Sequence, residues 1–175
     1  MRSSYVSRPE MGHILAALMP QNRLVMRLAM ETGLRISDCL SIKTAALRYR
    51  MTVREQKTGK SRRIIIPRQL LEELQASAGR IWVFEHRTDP LRHRTRQAVY
   101  KDVKRVARMF QRAGSVRKGQ ISPHSARKLR AVEAYQDGGI AAAQRLLNHS
   151  DPAVTMLYAL ADQLPPSGSG RRGRA

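Results

Sequence analysis

At 175 residues, 42% of them hydrophobic, the chain is long enough for one ordinary domain with a real core, which excludes a largely disordered protein. Its 33 Lys and Arg against 13 Asp and Glu give a formal net charge of +20, spread along the whole length, which favours a polyanion as partner. No run reaches the roughly 20 apolar residues of a membrane span, no N-terminal apolar core precedes a small-residue cleavage site, and a single cysteine excludes an internal disulfide or a thiolate zinc site. The chain reads as cytoplasmic and membrane-free, with Cys39 a small core residue of a helix.

In chain order, "PEMGHILAALMP" at 9–20 and "RLVMRLAMETGLRISDCLSI" in the stretch 21–47 carry apolar groups at helical spacing and predict two or three helices. Gly33 breaks the second run, so Arg35 is expected to begin a new helix beyond a tight turn. The texture then changes. "MTVREQ" alternates, "KTGKS" has turn composition and "RRIIIP" is a β-branched run stopped by a proline, which predicts an antiparallel hairpin. Residues 69–79 return to helix, "RIWVF" at 80–84 predicts a third strand, and 85–94 is polar loop. From 95 to 113, Val99, Val103, Val106 and Phe110 recur at three- and four-residue steps, an amphipathic helix with a basic outer face. In "ISPHSARKLR" a helix capped by Ser122, with Pro123 in its first turn, places His124 and Arg127 on one face. "GGIAAAQRLLNH" and "SDPAVTMLYALADQ" predict two more helices, and "PPSGSGRRGRA" reads as a disordered basic tail.

Five features call for a joint explanation: "TGLRISD" with Arg35, "EQKTGK" with Lys57, "HSAR", "LLNHSD" with His149, and Tyr158 nine residues later. Each alone has an ordinary reading as surface, turn or packing residue. Together and in this order they resemble the catalytic domain of the tyrosine recombinase (phage integrase) family. That family's pattern of Arg, Lys, His-x-x-Arg, His or Trp, and Tyr is filled by Arg35, Lys57, His124, Arg127, His149 and Tyr158. The hydrophobic frame agrees over about residues 9 to 162, in "RIIIP", in "VF" and in "LLNHSDPAVTMLYA". The resemblance implies an α+β, mostly α-helical fold, with a helical catalytic domain over residues 1–164 that includes a small three-stranded antiparallel sheet. Residues 165–175 form the tail.

The residue types suit the implied chemistry. Attack of a hydroxyl on a DNA phosphodiester builds negative charge on the equatorial oxygens, and Arg35 and Arg127 can stabilise it with planar, permanently charged donor forks. His149 can add a hydrogen bond. A phenol with a pKa of about 10 must lose its proton to attack, and His124 is the nearest candidate base for Tyr158. The leaving 5′ oxygen needs a proton, which by resemblance comes from Lys57, with Lys60 across the turn as competitor. The product, a 3′-phosphotyrosyl link, conserves bond energy and implies no metal and no cofactor. The sequence carries no GxxxxGK[ST] loop, and His13, His86, His93, His124 and His149 lack metal-ligand spacing with carboxylates. Asp38, one helical turn after Arg35, stands where the family has an acidic residue; it could orient that guanidinium or a histidine, or be an exposed helix-start acid.

Departures from the family pattern shape the remaining expectations. Only about eight residues precede the first catalytic helix, so the usual N-terminal clamping domain is absent from this sequence, as in short members such as the fimbrial-switch recombinases, unless the chain is a fragment. Asn148 replaces the usual Gly before the second histidine, in a turn that Asn can adopt. Lys43, Lys60, Arg62, Arg92, Arg94 and Arg96 are candidate contacts to double-stranded DNA, and the family's tetramer on paired sites is the implied assembly. The setting implied is prokaryotic, phage or plasmid, at the nucleoid. Two rival functions share the fold: a non-cleaving DNA-binding regulator, and a nicking-closing enzyme like type IB topoisomerases.

Overall fold

The computed structural model describes residues 3–148. Helix α1 (Arg8–Ala17) starts from a capping box: Ser7 Oγ accepts from the Glu10 amide, and the Glu10 carboxylate accepts from the Ser7 amide at 2.8 Å. Helix α2 (Pro20–Thr32) takes Pro20 in its first turn and ends at Gly33 in a left-handed conformation, φ 66°. The left-handed conformation favours glycine there, and a Cβ at Gly33 would also press on the Leu146 side chain at 3.1 Å. Short helix α3 (Ile36–Leu40) follows, with Arg35 as its extended cap residue. Strands β1 (Arg50–Arg54) and β2 (Ser61–Ile65) pair antiparallel from Arg50↔Ile65 to Arg54↔Ser61. Helices α4 (Arg68–Ser77), α5 (Arg96–Arg112) and α6 (His124–Leu147) complete the order. No helix of the described residues is long and apolar enough to cross a membrane.

α2 buries Leu24, Val25, Met26, Leu28, Ala29 and Met30 and packs against α1, α3, α4, α5 and α6, which makes it the axis of the core. The hairpin lies with Met51, Val53 and Ile64 inward, and Ile66 continues that face into the core. The sheet has two strands where three were expected. Residues 81–83 instead run beside 42–44, with one bridge between Lys43 and Trp82 and bonds from Thr44 N to Ile81 O and from Val83 N to Ile42 O, both 3.0 Å. The ladder stops there because the chain turns into a 3₁₀ turn at Thr44–Ala46 on one side and into the 85–94 loop on the other.

Cys39 is fully buried, and burial, with the Asp38 charge, pushes its thiol well above the ordinary range, so it is an inert core residue as expected. The helix expected in "GGIAAAQRLLNH", 138–149, is joined, as far as Leu147, to the one before it across a kink at Gly138 and Gly139. The segment around Tyr158 and the 165–175 tail lie outside the described residues.

One polar cluster is built into this core. Asp102 of α5, 7% exposed, accepts from the Met19 amide (3.0 Å), Asn22 Nδ2 (2.8 Å) and Arg105 Nη2 (2.7 Å), while Asn22 Oδ1 accepts from Arg94 Nε (2.6 Å). It fixes the α1–α2 turn, α5 and the 85–94 loop to one another. Burial opposes ionisation of Asp102, but Asn22, Arg105 and the Met19 amide outweigh it and hold the carboxyl below its ordinary value; Glu10, against Arg117 and Ser7, is drawn down to about 2. Groups lowered in the folded state add stability above their ordinary pKa and lose it as the pH falls through the folded one. Urea unfolding is therefore expected to show stability declining from about pH 4.5 towards pH 2. Asp102→Asn should cost about 2 kcal/mol at pH 7 and clearly less at pH 3. An equal cost at both values would show that the charge of Asp102 is not what the cluster uses.

Candidate active site

The starts of α3, α5 and α6 converge on one cleft of about 420 Å³, lined by Arg35, Ser37, Arg96, Tyr100, Ser122 and His124 among others. Each start is dictated locally. The left-handed Gly33 turns the chain so that Arg35 precedes α3, and the Thr95 hydroxyl caps α5 by accepting from Ala98 N at 3.1 Å. At α6 the cap residue is Pro123, not Ser122 as expected, and it has no side-chain cap bond; Ser122, one residue earlier, accepts at Oγ from His124 N (3.3 Å) while Ser125 Oγ accepts from Ser122 N (3.3 Å), which fixes the entry to the helix. The positive ends of α5 and α6 therefore lie at the cleft, which Arg35 and Arg96 also line.

Arg35 is partly buried, its side chain 19% exposed, and Nη1 pairs with Glu55 at the end of β1. Glu55 is fully buried. Burial alone would raise its carboxyl, but the hydrogen bond and charge of Arg35, the Thr58 hydroxyl and the charge of Arg127 hold it below the usual carboxylate range. Asp38 turns out to serve the hairpin: it is fully buried, and Oδ1 accepts from Gln56 N at 3.0 Å. The reading of Asp38 as an exposed helix-start acid is thereby corrected.

Arg127 sits one turn below His124 and is 2% exposed. Its Nη1 donates to Gly33 O (2.6 Å) and its Nη2 to Leu147 O (2.7 Å), the carbonyl ends of α2 and α6. That differs from an arginine aimed wholly at a bound phosphate: here part of the guanidinium ties two helix C-termini together, where the backbone dipoles favour a cation. Leu147 is followed by Asn148 in the left-handed conformation, φ 52°, the turn that Asn was expected to tolerate. His149 and Tyr158 lie outside the described residues.

Lys57 is exposed in the turn between β1 and β2, and Lys60 is exposed where the chain returns to β2; neither lines the cleft. Of the candidate DNA contacts, Lys43, Lys60, Arg92 and Arg96 are exposed, Lys43 with its Nζ 5.8 Å from the Trp82 ring. Arg62 and Arg94 differ from expectation. Arg62, its side chain 9% exposed, donates to Thr32 O (2.9 Å) and faces Glu55, and burial draws its guanidinium down; Arg94 is held by Asn22. Alternation carried the signal for Glu55 and Arg62, because Met51, Val53 and Glu55 share one parity, as do Arg62, Ile64 and Ile66.

Cations and helix starts from three elements on one cleft form a site for an anionic group. The chain belongs to the phage integrase family, whose model matches residues 6–164. It is similar to tyrosine recombinase XerA of Pyrococcus furiosus, 29% identical over 147 residues, covering 79% of this chain and 49% of that one. It is also similar to probable integrase/recombinase YoeC of Bacillus subtilis, 30% identical over 131 residues, covering 73% and 71%. A lambda integrase dimer bound to a COC′ core site shares the fold, with a TM-score of 0.75 at 21% identity over 100% of this chain and 51% of that chain. The chain thus spans about half the length of XerA and of that integrase.

Proposed function

We propose that this chain is the catalytic unit of a tyrosine-type site-specific recombinase that cleaves and rejoins double-stranded DNA. The observation that carries the reading is the convergence of Arg35 and His124 on one cleft, with Arg127 one helical turn along α6 from His124, in a member of the phage integrase family. Tyr158 gives its phenolic proton to His124, and its oxygen forms a bond to phosphorus as the bond to the 5′ oxygen breaks. Lys57 supplies the proton that the 5′ oxygen takes up. Arg35, Arg127 and His149 stabilise the charge on the phosphoryl oxygens, the term that usually lowers such barriers most. The reverse reaction with a second strand's 5′ hydroxyl completes exchange, without metal or ATP. Lys43, Lys60, Arg92 and Arg96 contact the DNA backbone, and exchange takes place in a tetramer on paired sites within the cytoplasm.

The test is direct. The protein is mixed with pooled genomic fragments in excess EDTA, the reaction is quenched with denaturant, and DNA held covalently to protein is recovered and sequenced. A recurrent site in the recovered DNA, with dependence on paired inverted repeats, is the expected result. An adduct on any sequence, with relaxation of any supercoiled plasmid, would favour nicking-closing activity. Tight binding without any adduct would return the chain to a regulatory DNA-binding role.

A further inference from the structure

We infer that Glu55 is a positioning residue that registers Arg35 to the hairpin carrying Lys57, so that the fixed cation and the proton-donating lysine move as one unit. The inference rests on the recombinase reading above and deepens it. Glu55 lies one residue beyond the last ladder pair, Arg54↔Ser61, and is fully buried. Its Oε2 accepts from Arg35 Nη1 and from Thr58 Oγ1 (3.0 Å), the residue next to Lys57. Its backbone closes the same turn, donating to Lys60 O (2.9 Å) and accepting from Gly59 N (2.8 Å). Asp38 makes a second tie from α3 to this turn through Gln56 N.

A buried carboxylate beside a phosphate-binding arginine takes up a donor that the phosphate could use, so its presence needs a reason. The contact uses Nη1 only, and among the described residues no hydrogen bond occupies Arg35 Nε or Nη2, while Arg35 lines the cleft. Glu55 therefore fixes one edge of the fork and leaves the other to the substrate, which is what orientation of a planar donor requires. Charge agrees with this. Arg35 and Arg62 face Glu55, which also feels the charge of Arg127, while Asp38 acts on Arg62, so positive charge exceeds negative around this turn, as an anionic phosphodiester requires.

An ion pair serving stability alone is the competing role, and single-turnover cleavage of the site recovered above separates the two. Each variant is given two duplexes, one with the natural 5′ oxygen and one with sulfur in that bridging position, whose leaving thiolate needs no proton. Glu55→Gln is expected to slow cleavage of the oxygen duplex about thirtyfold and to recover about tenfold of that with sulfur, because the lysine's proton is what has been misplaced. DNA affinity stays within about threefold, since cleft contacts are retained. Added to Arg35→Lys, Glu55→Gln should slow cleavage little further, the signature of groups that act through each other. If Glu55→Gln does not fold, Glu55→Asp keeps the charge one methylene short and should show the same sulfur recovery on a smaller loss. A wild-type rate, or an equal loss on both duplexes, overturns the inference. No cleavage by the wild-type protein sinks the recombinase reading, and this inference with it.

Discussion

Tyr158→Phe is expected to abolish the covalent adduct, a loss of at least about a thousandfold, and to leave DNA affinity within about twofold. The substitution removes one oxygen, the only atom of the side chain able to bond to phosphorus, and keeps the size of the ring. The cleft makes this more than a formality, because a second phenol is at hand: Tyr100, 44% exposed on the first turns of α5, lines the same cleft as Arg35 and His124. Its ring faces Lys104, with Nζ 5.8 Å from the centroid. That contact uses the ring face and prepares no base for the hydroxyl. Tyr100→Phe should therefore keep the adduct and change affinity modestly. An adduct that survives in Tyr158→Phe and disappears in Tyr100→Phe would move the nucleophile to Tyr100 on α5.

Arg127→Ala should be the most damaging single change to the fold, costing about 3–5 kcal/mol. It removes donors from Gly33 O and Leu147 O, both buried, and empties the volume of one of the largest fully buried side chains. For a chain of this size the expected fall in melting temperature is roughly 10 °C. Arg127→Lys keeps the charge, but one ammonium cannot span the two carbonyls that the guanidinium fork joins. It should recover part of the stability and little of the cleavage. Both follow from one geometry, in which the same side chain starts one helical turn beyond His124 and holds Leu147 two residues before His149. An Arg127→Ala protein that melts within about 2 °C of the wild type would show that the two carbonyl contacts do not bear on stability.

Much of the outline was legible in the residues themselves, because its causes are local. Ser7 with Glu10 and Thr95 cap helices, and Ser122 with Ser125 ties the entry to α6, through neighbours within three residues. Gly33 and Asn148 mark left-handed ends, and the parity of Met51, Val53 and Ile64 orients the hairpin. The order of Arg35, Lys57, His124, Arg127, His149 and Tyr158 along the chain points to the family by itself. What the tertiary structure decided concerns partners far apart in the chain. "RIWVF" has strand composition, yet its partner is 42–44 and the pairing ends after one bridge. Arg62 and Arg94 look like any other surface arginines in a chain of this charge, but Thr32, Glu55 and Asn22 hold them inside. Glu55 and Asp38 meet the arginine and the turn across eighteen or twenty residues, and Arg127 reaches Gly33 across ninety-four. Propensity, capping and alternation act over a few residues and are written in the local sequence; which buried charge faces which depends on how the helices pack around α2, where the low dielectric makes each such pairing compulsory.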